Sequence, residues 1–114
     1  MTSEGLPRSW RISHGSDLKA VQQDGRHRRT PRLEISWRSN DLGHPRLGVI
    51  VPRYGASAVA RNRVRRSLRE CSRRRILPNL TAVDLVVRAR PAVYQAASEE
   101  LIGDLDQWLQ SISK

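Results

Sequence analysis

The sequence predicts an α+β fold, a two-layer sandwich in which helices pack on a small mixed sheet. Two long segments carry apolar residues at helical spacing, one run alternates polar and apolar residues, and two further runs are mostly apolar. With a short capped segment near the N-terminus, their order is helix, strand, strand, helix, strand, helix. A chain of 114 residues supports one hydrophobic core, so residues 1–114 are expected to form a single domain.

The N-terminal third predicts a short helix and a strand. Ser16 as N-cap and Asp17 in the first turn indicate a helix that ends at Gly25. Residues 32–37 alternate between polar and apolar side chains, which is typical of a strand with one buried face. Residues 1–9 are polar overall and are expected to be flexible.

The rest of the chain predicts a strand, a long helix, a strand and a last helix. Residues 46–51 are mostly apolar and lie between two prolines, which favours an inner strand. A helix is predicted over residues 57–75, and residues 83–87 predict a strand near the sheet centre that can pair in parallel with residues 46–51. The last helix begins near Ser98 and has a broad apolar face that includes Trp108. The apolar stripe of the long helix consists of Ala60, Val64, Leu68 and Cys71.

The net charge favours a nucleic-acid partner. The chain has 21 basic and 11 acidic residues, which gives a net charge of +10. The excess is localised: 20 basic and 7 acidic residues lie in 1–90 (+13), against 1 and 4 in 91–114 (−3). The basic surface therefore belongs to the body of the domain, and the last helix is expected to face elsewhere.

Arginine is concentrated on the long helix. Residues 60–70 read ARNRVRRSLRE, in which five arginines accompany a single acid, Glu70. A solvated helix usually mixes both signs of charge at i,i+4 spacing, so this density needs an outside partner to offset the repulsion. Phosphate is the natural one. The candidate contacts on this helix are Arg61, Asn62, Arg63, Arg65, Arg66 and Arg69.

Several other classes are disfavoured. The single cysteine, Cys71, rules out an internal disulfide and a cysteine-based zinc cluster. No run approaches the roughly 18–20 apolar residues of a membrane span, and the N-terminus lacks a signal-peptide core. A cytoplasmic protein with no membrane partner is expected.

Five blocks, in this order and spacing, resemble the protein subunit of bacterial ribonuclease P. The central block, with RNR followed by further basic residues, is that family's signature. The blocks are LP and WRI within residues 6–12, GSDLKAV at 15–21, RLGV at 46–49, AVARNRVRRSLRE at 58–70, and DLVVRARP at 84–91.

The resemblance implies that catalysis resides in an RNA and that the protein carries no catalytic or metal-binding residue. It implies binding to the large RNA subunit and to the 5′ leader of precursor tRNA, with Mg²⁺ held mainly by the RNA during removal of the leader. It further implies a left-handed βαβ crossover around the long helix, whereas such crossovers are almost always right-handed.

The resemblance also assigns two sets of contact residues by position. A leader cleft is implied between the first helix and the sheet, and family members usually have phenylalanine at the positions of Leu18 and Gln22. This chain has no phenylalanine, so Trp37 or Tyr54 is the expected substitute. The implied RNA-subunit contacts are Arg53, Arg61, Asn62, Arg63, Arg65, Arg66 and Arg69. The implied cleft residues are Arg11, Leu18, Gln22, Trp37, Arg88 and Arg90.

Three other functions compete with this interpretation. A structural RNA-binding protein of ribosomal type would share the size and charge, and stays open as the alternative. A DNA-binding basic-zipper helix would need an arginine eight residues after Asn62, where Glu70 stands, and leucine heptads that are missing. A self-sufficient nuclease would need grouped carboxylates, and the aspartates are scattered along the chain.

Overall fold

Among the described residues, a four-stranded sheet and three α-helices form the domain. The computed structural model describes residues 6–112. The strands are β1 (Arg26–Arg29), β2 (Leu33–Ser39), β3 (Arg46–Ile50) and β4 (Val83–Ala89). The helices are α1 (Gly15–Asp24), α2 (Ala58–Cys71) and α3 (Ser98–Ile112).

The sheet is mixed, with strand order β1-β2-β4-β3. The β1/β2 and β2/β4 pairs are antiparallel, and β3/β4 is parallel. The predicted α+β class, the parallel β3-α2-β4 unit and the inner position of β4 are thus confirmed. The left-handedness of that crossover stays a prediction.

Helices cover both faces of the sheet. Because strand side chains alternate, Ile35 and Leu85 point to one face, where they pack with Leu68 of α2 and the fully buried Trp108 of α3. Val86 points to the other face, where it packs against α1. The two-layer description therefore fits the larger core, and α1 adds a partial third layer.

The prediction that residues 46–51 form an inner strand is wrong, because β3 lies at the edge of the sheet. Its apolar character reflects helices on both of its faces rather than strands on both of its sides. The segment before α1 protects the open edge, where the Ile12 amide donates to the Leu47 carbonyl at 2.9 Å. Most of the segment predicted to be flexible, residues 1–5, lies outside the described residues. Leu6, an apolar residue in that segment and a candidate N-terminal anchor, is buried in the larger core at 3% exposure.

The sequence did not predict β1, which pairs along its whole length with β2. All four of its residues are charged or polar and all are exposed, so it has no alternation of apolar residues to detect.

The predicted N-cap of the first helix is wrong: Ser16 lies inside α1, which begins at Gly15.

The long helix begins where the sequence predicts, with Ser57 as its N-cap. The Ser57 hydroxyl accepts a hydrogen bond from the Ala60 amide at 3.1 Å, which satisfies one of the free donors of the first turn. The α-helix ends at Cys71 rather than Arg75, because residues Ser72–Ile76 continue as a π-helix. This wider turn buries Ser72 and Ile76 and sends Arg74 and Arg75 outward.

Candidate nucleic-acid interface

The outward side of α2 carries two rows of basic and polar side chains. Arg61, Arg65 and Arg69 follow at i, i+4 and i+8, so they form one row beside the apolar stripe, and all three are partly buried. The other row is exposed. We call the set Arg61, Asn62, Arg63, Arg65, Arg66 and Arg69 the α2 arginine surface. Together these six residues occupy most of the helix circumference outside the apolar stripe.

Arg61 also takes part in the fold. Its Nε donates a hydrogen bond to the carbonyl of Val51, just after β3, at 2.7 Å. The bond ties the first turn of α2 to the strand that precedes it. Only part of the guanidinium is then available for an external partner.

Positive charge is crowded where α2 meets the N-terminal segment. Burial lowers the pKa of Arg69, and the nearby positive charges of Arg11 and Arg65 lower it further. Arg11 is held in place by its own Nε, which donates to the Leu6 carbonyl at 2.9 Å. Arginine stays charged despite such shifts, so an anion at this corner would relieve the repulsion.

The arginines that follow α2 differ, because each has an acidic partner. Glu70 accepts hydrogen bonds from both Arg73 and Arg74, and these hold the pKa of its carboxyl below the usual value. Arg75 pairs with Asp106 of α3 at 3.0 Å. Among residues 6–112, no ion pair joins a carboxylate to an arginine of the α2 arginine surface. The structure thus separates neutralised arginines from arginines that still need an anion.

The connection from β3 to α2 holds Arg53 at the surface. Tyr54 has a positive φ of 49°, which is unusual for a residue other than glycine. Its hydroxyl donates to the Ala89 carbonyl at 3.0 Å, and its ring meets Tyr94 edge-on with centroids 6.5 Å apart. Tyr54 therefore stabilises this connection and lies away from α1. It does not replace the missing aromatic residues of the implied cleft.

A groove of about 520 Å³ lies beside α1 on the sheet face that α1 only partly covers. Gln22 of α1 and Arg88 of β4, two of the implied cleft residues, line it. Leu18 is on the same face, but its side chain packs over Gly48 against the small core, which consists of Ile12, Val21 and Val86. Other lining residues are His27, Arg29, Glu34 and Ser36.

The other three implied cleft residues, Arg11, Trp37 and Arg90, do not line this groove. Trp37 points to the opposite face of the sheet and packs edge-on against Trp108, with ring centroids 5.3 Å apart. Arg90 donates to the Thr30 carbonyl at 2.6 Å and secures the β1–β2 turn. Arg11 belongs to the corner with Arg69.

Two groove residues were missed by the sequence interpretation. His27 of β1 is exposed, and its Nδ1 lies 3.1 Å from the Ser36 hydroxyl, which orients the ring. Glu34 lies between Arg29, at 3.2 Å, and Arg88, at 3.8 Å. The alternation along β2 already put Glu34 on the non-core face, but nothing in the sequence indicated that β1 would pair beside it.

The buried carboxylates of the described chain serve the fold. Burial opposes ionisation of Asp84, but hydrogen bonds from Arg46 and Asn40 outweigh it and hold its pKa below the usual value. Asp104 accepts from Thr30 and Arg32. Within residues 6–112, no three His, Cys, Asp or Glu side chains are grouped to hold a metal ion, and no helix has the length and apolar character to cross a bilayer.

Known proteins match the chain along most of its length. A family model described as Ribonuclease P matches residues 6–113. The ribonuclease P protein component of Nitrosococcus oceani is 32% identical over 111 residues, which cover 96% of this chain and 92% of that protein. The protein component of Xanthomonas oryzae is 36% identical over 97 residues, covering 84% of this chain and 66% of the relative.

Solved structures agree in fold. The ribonuclease P protein of Staphylococcus aureus superposes with a TM-score of 0.80 at 24% identity, covering 92% of this chain and 95% of that chain. The protein from Thermotoga maritima gives 0.78 at 23% identity, with coverages of 89% and 96%. These similarities show a shared fold, and the family model and the curated relatives go further: the chain belongs to the ribonuclease P protein family.

Proposed function

We propose that this protein is the non-catalytic protein subunit of a cytoplasmic ribonuclease P, and that its α2 arginine surface binds the RNA subunit. The observation that carries the proposal is the contrast in ion pairing between α2 and the π-helical turn that follows it. The arginines of the α2 arginine surface have no carboxylate partner among residues 6–112, whereas Arg74 and Arg75 each have one. A surface that concentrates guanidinium groups without counter-charges suits a phosphate backbone.

Asn62 fits the same role. It is exposed in the first half of α2, where asparagine costs helix stability relative to alanine. Its amide offers both donors and an acceptor to a base edge or a sugar, between two arginines that hold the phosphates.

The groove beside α1 is the proposed site for the 5′ leader of precursor tRNA. Gln22, His27 and Arg88 line it, and they supply hydrogen-bonding groups, a ring and a positive charge. These are the groups that single-stranded RNA binders use. Leader binding here would rely more on polar contacts and charge than on stacking, because Leu18 is turned into the small core.

The Mg²⁺ of the reaction is proposed to reside on the RNA. Asp84, Asp104 and Glu70 all accept hydrogen bonds from arginines, and no three His, Cys, Asp or Glu side chains among residues 6–112 are grouped, which supports this proposal. Mg²⁺ needs free oxygen ligands. The protein instead contributes positive charge that reduces repulsion between two RNA molecules, which lowers the Mg²⁺ concentration that they require.

Reconstitution tests the proposal. We expect the protein alone to cleave no precursor tRNA, and a bacterial ribonuclease P RNA to process it at low Mg²⁺ only when the protein is added. The double variant R63Q/R66Q should lose much of this stimulation. R74Q/R75Q removes the same charge from paired positions and should retain it. Equal rates with and without the protein would reject the proposal and favour a structural RNA-binding role.

A further inference from the structure

The exposed edge strand β1 forms a second concentration of positive charge. Its residues are Arg26, His27, Arg28 and Arg29, and all four are exposed. The strand pairs only with β2, so the half of its backbone amides that points away from β2 has no partner in the sheet. Neither the sequence interpretation nor the family resemblance assigned a function to this strand.

The two faces of β1 differ in how their charge is balanced. Arg29 lies opposite Glu34 and forms an ion pair with it, on the face that carries the groove beside α1. Arg26 and Arg28 lie opposite Trp37 and Ile35, on the α3 side of the strand, and Arg28 at the open edge also lines the groove beside α1. Neither has an ion pair with any carboxylate among residues 6–112, although the chain pairs most of its acids with arginines.

A second groove, of about 900 Å³, lies at the end of the sheet where β1 begins and where α1, β2 and α3 end. Arg26, Arg28 and Arg38 all line it, and the exposed Asp24 is 3.5 Å from Arg38. Ser111, at the end of α3, lines it as well. An extended polyanion in this groove would meet two unpaired guanidinium groups two residues apart on the same side of a strand.

This surface is separate from the α2 arginine surface. The strand order puts β1 and β3 at opposite edges, about 14 Å apart at the usual strand spacing, and α2 connects the β3 edge to β4. We propose that Arg26 and Arg28 bind phosphates of a second RNA segment, distinct from the segment that docks on α2. The proposal rests on the proposed function and extends it: besides the RNA subunit on α2 and the leader in the groove beside α1, the domain would hold a further stretch of RNA at the β1 edge.

Charged edge strands also have a purely structural explanation, because they prevent sheets from joining edge to edge. That role predicts aggregation when the charges are removed, and no change in RNA affinity of the remaining monomer. The two explanations therefore differ in what they predict for the same variant. Glutamine substitutions keep the edge polar, so that aggregation and RNA affinity can both be measured on the same variant.

The test compares R26Q/R28Q with R74Q/R75Q, which lowers the net charge equally at exposed, ion-paired positions. Affinity is measured at several KCl concentrations, first for the ribonuclease P RNA alone and then for precursor tRNA with the reconstituted holoenzyme. We expect R26Q/R28Q to reduce the slope of log affinity against log salt by about 1.4–1.8, two phosphate contacts, in one of the two arms. That arm identifies the source of the segment, and the control should change little.

If both double variants changed RNA affinity equally, for the ribonuclease P RNA and for precursor tRNA, the inference would be overturned, because only the net charge of the protein would then matter. If R26Q/R28Q bound RNA with wild-type affinity but aggregated in sedimentation, the inference would be overturned in favour of edge protection. A melting temperature matched to wild type confirms that the fold is retained. If R63Q/R66Q loses binding while R26Q/R28Q does not, the proposed function stands and this inference alone fails.

Discussion

Arg61 and Arg66 lie on the same helix but have different surroundings. The Nε of Arg61 donates to the Val51 carbonyl at 2.7 Å, while Arg66 is exposed and forms no ion pair within residues 6–112. Sequence position alone made them equivalent members of one motif. Their side chains nevertheless differ in how much they contribute to folding.

Single substitutions should separate these contributions. We expect R66A to keep the stability of the wild type and to reduce the salt slope of RNA binding by about one phosphate contact. R61A should reduce the slope as well, and should also cost about 1 kcal/mol of unfolding free energy, since a partly buried hydrogen bond is lost. Urea denaturation and filter binding measure the two effects. Equal stability of both variants would contradict the structural role of Arg61.

Asp84 provides a prediction about pH. Its carboxyl is almost fully buried, and Arg46 donates to both of its oxygens, at 2.9 and 2.8 Å. Because its pKa is depressed in the folded state, its contribution to stability is present above the unfolded pKa of about 3.9 and is lost as the pH falls through the folded value.

We therefore expect D84N to lower the unfolding free energy at pH 7 by about 3 kcal/mol, since Arg46 is left without its counter-charge. The difference from wild type should shrink as the pH falls below about 4. D106N is the matched control, because the Asp106–Arg75 pair is more exposed and should be worth at most about 1 kcal/mol. A pH-independent difference for D84N would show that its charge is not the cause.

At the scale of elements, the approach of α1 to β3 depends on one glycine. A Cβ at Gly48 would meet Cδ2 of Leu18, with Ile12 close behind. The small core therefore lets the helix sit close to the strand only where no side chain intervenes. The same contact turns Leu18 inward and explains why it does not line the groove.

This contact predicts coupling between the two residues. G48A should destabilise the protein by about 1–3 kcal/mol, as expected for an overpacked core. Adding L18A should recover part of that loss, so the double variant should be more stable than the sum of the single effects. G103A is a control of opposite sign: the site on α3 is open, and alanine should add roughly 0.5–1 kcal/mol. Strict additivity of G48A and L18A would contradict the contact.

At the scale of the whole molecule, α3 neutralises part of the basic body. Arg32 pairs with Glu100 at 2.8 Å and with Asp104 at 2.9 Å, and Arg75 pairs with Asp106. The sequence indicated that the acidic end of the chain faces away from the basic surface. The structure shows a more specific arrangement, in which α3 pairs with selected arginines and leaves those of α2 and of β1 toward solvent.

Local patterns predicted most elements, and their failures have identifiable causes. The apolar stripe of α2 and the apolar face of α3 were sufficient to predict these two helices, because helical spacing is a property of residues close in sequence. Strand β1 has no apolar residue and exists because β2 supplies its hydrogen bonds. Strand β3 was predicted to be an inner strand but lies at the edge, because an apolar run indicates that a strand is buried and does not show whether helices or neighbouring strands bury it.

By itself, the sequence determined the α+β class, the arginine-rich helix, the basic charge and the resemblance to one family, because all of these are carried by residue order and composition. Only the tertiary structure decided which arginines remain unpaired, that Trp37 faces away from the groove beside α1, and that β1 exists. The physical reason is distance along the chain. Arg75 meets Asp106 across 31 residues, and Arg46 meets Asp84 across 38, so charge pairing is set by packing that no local pattern contains.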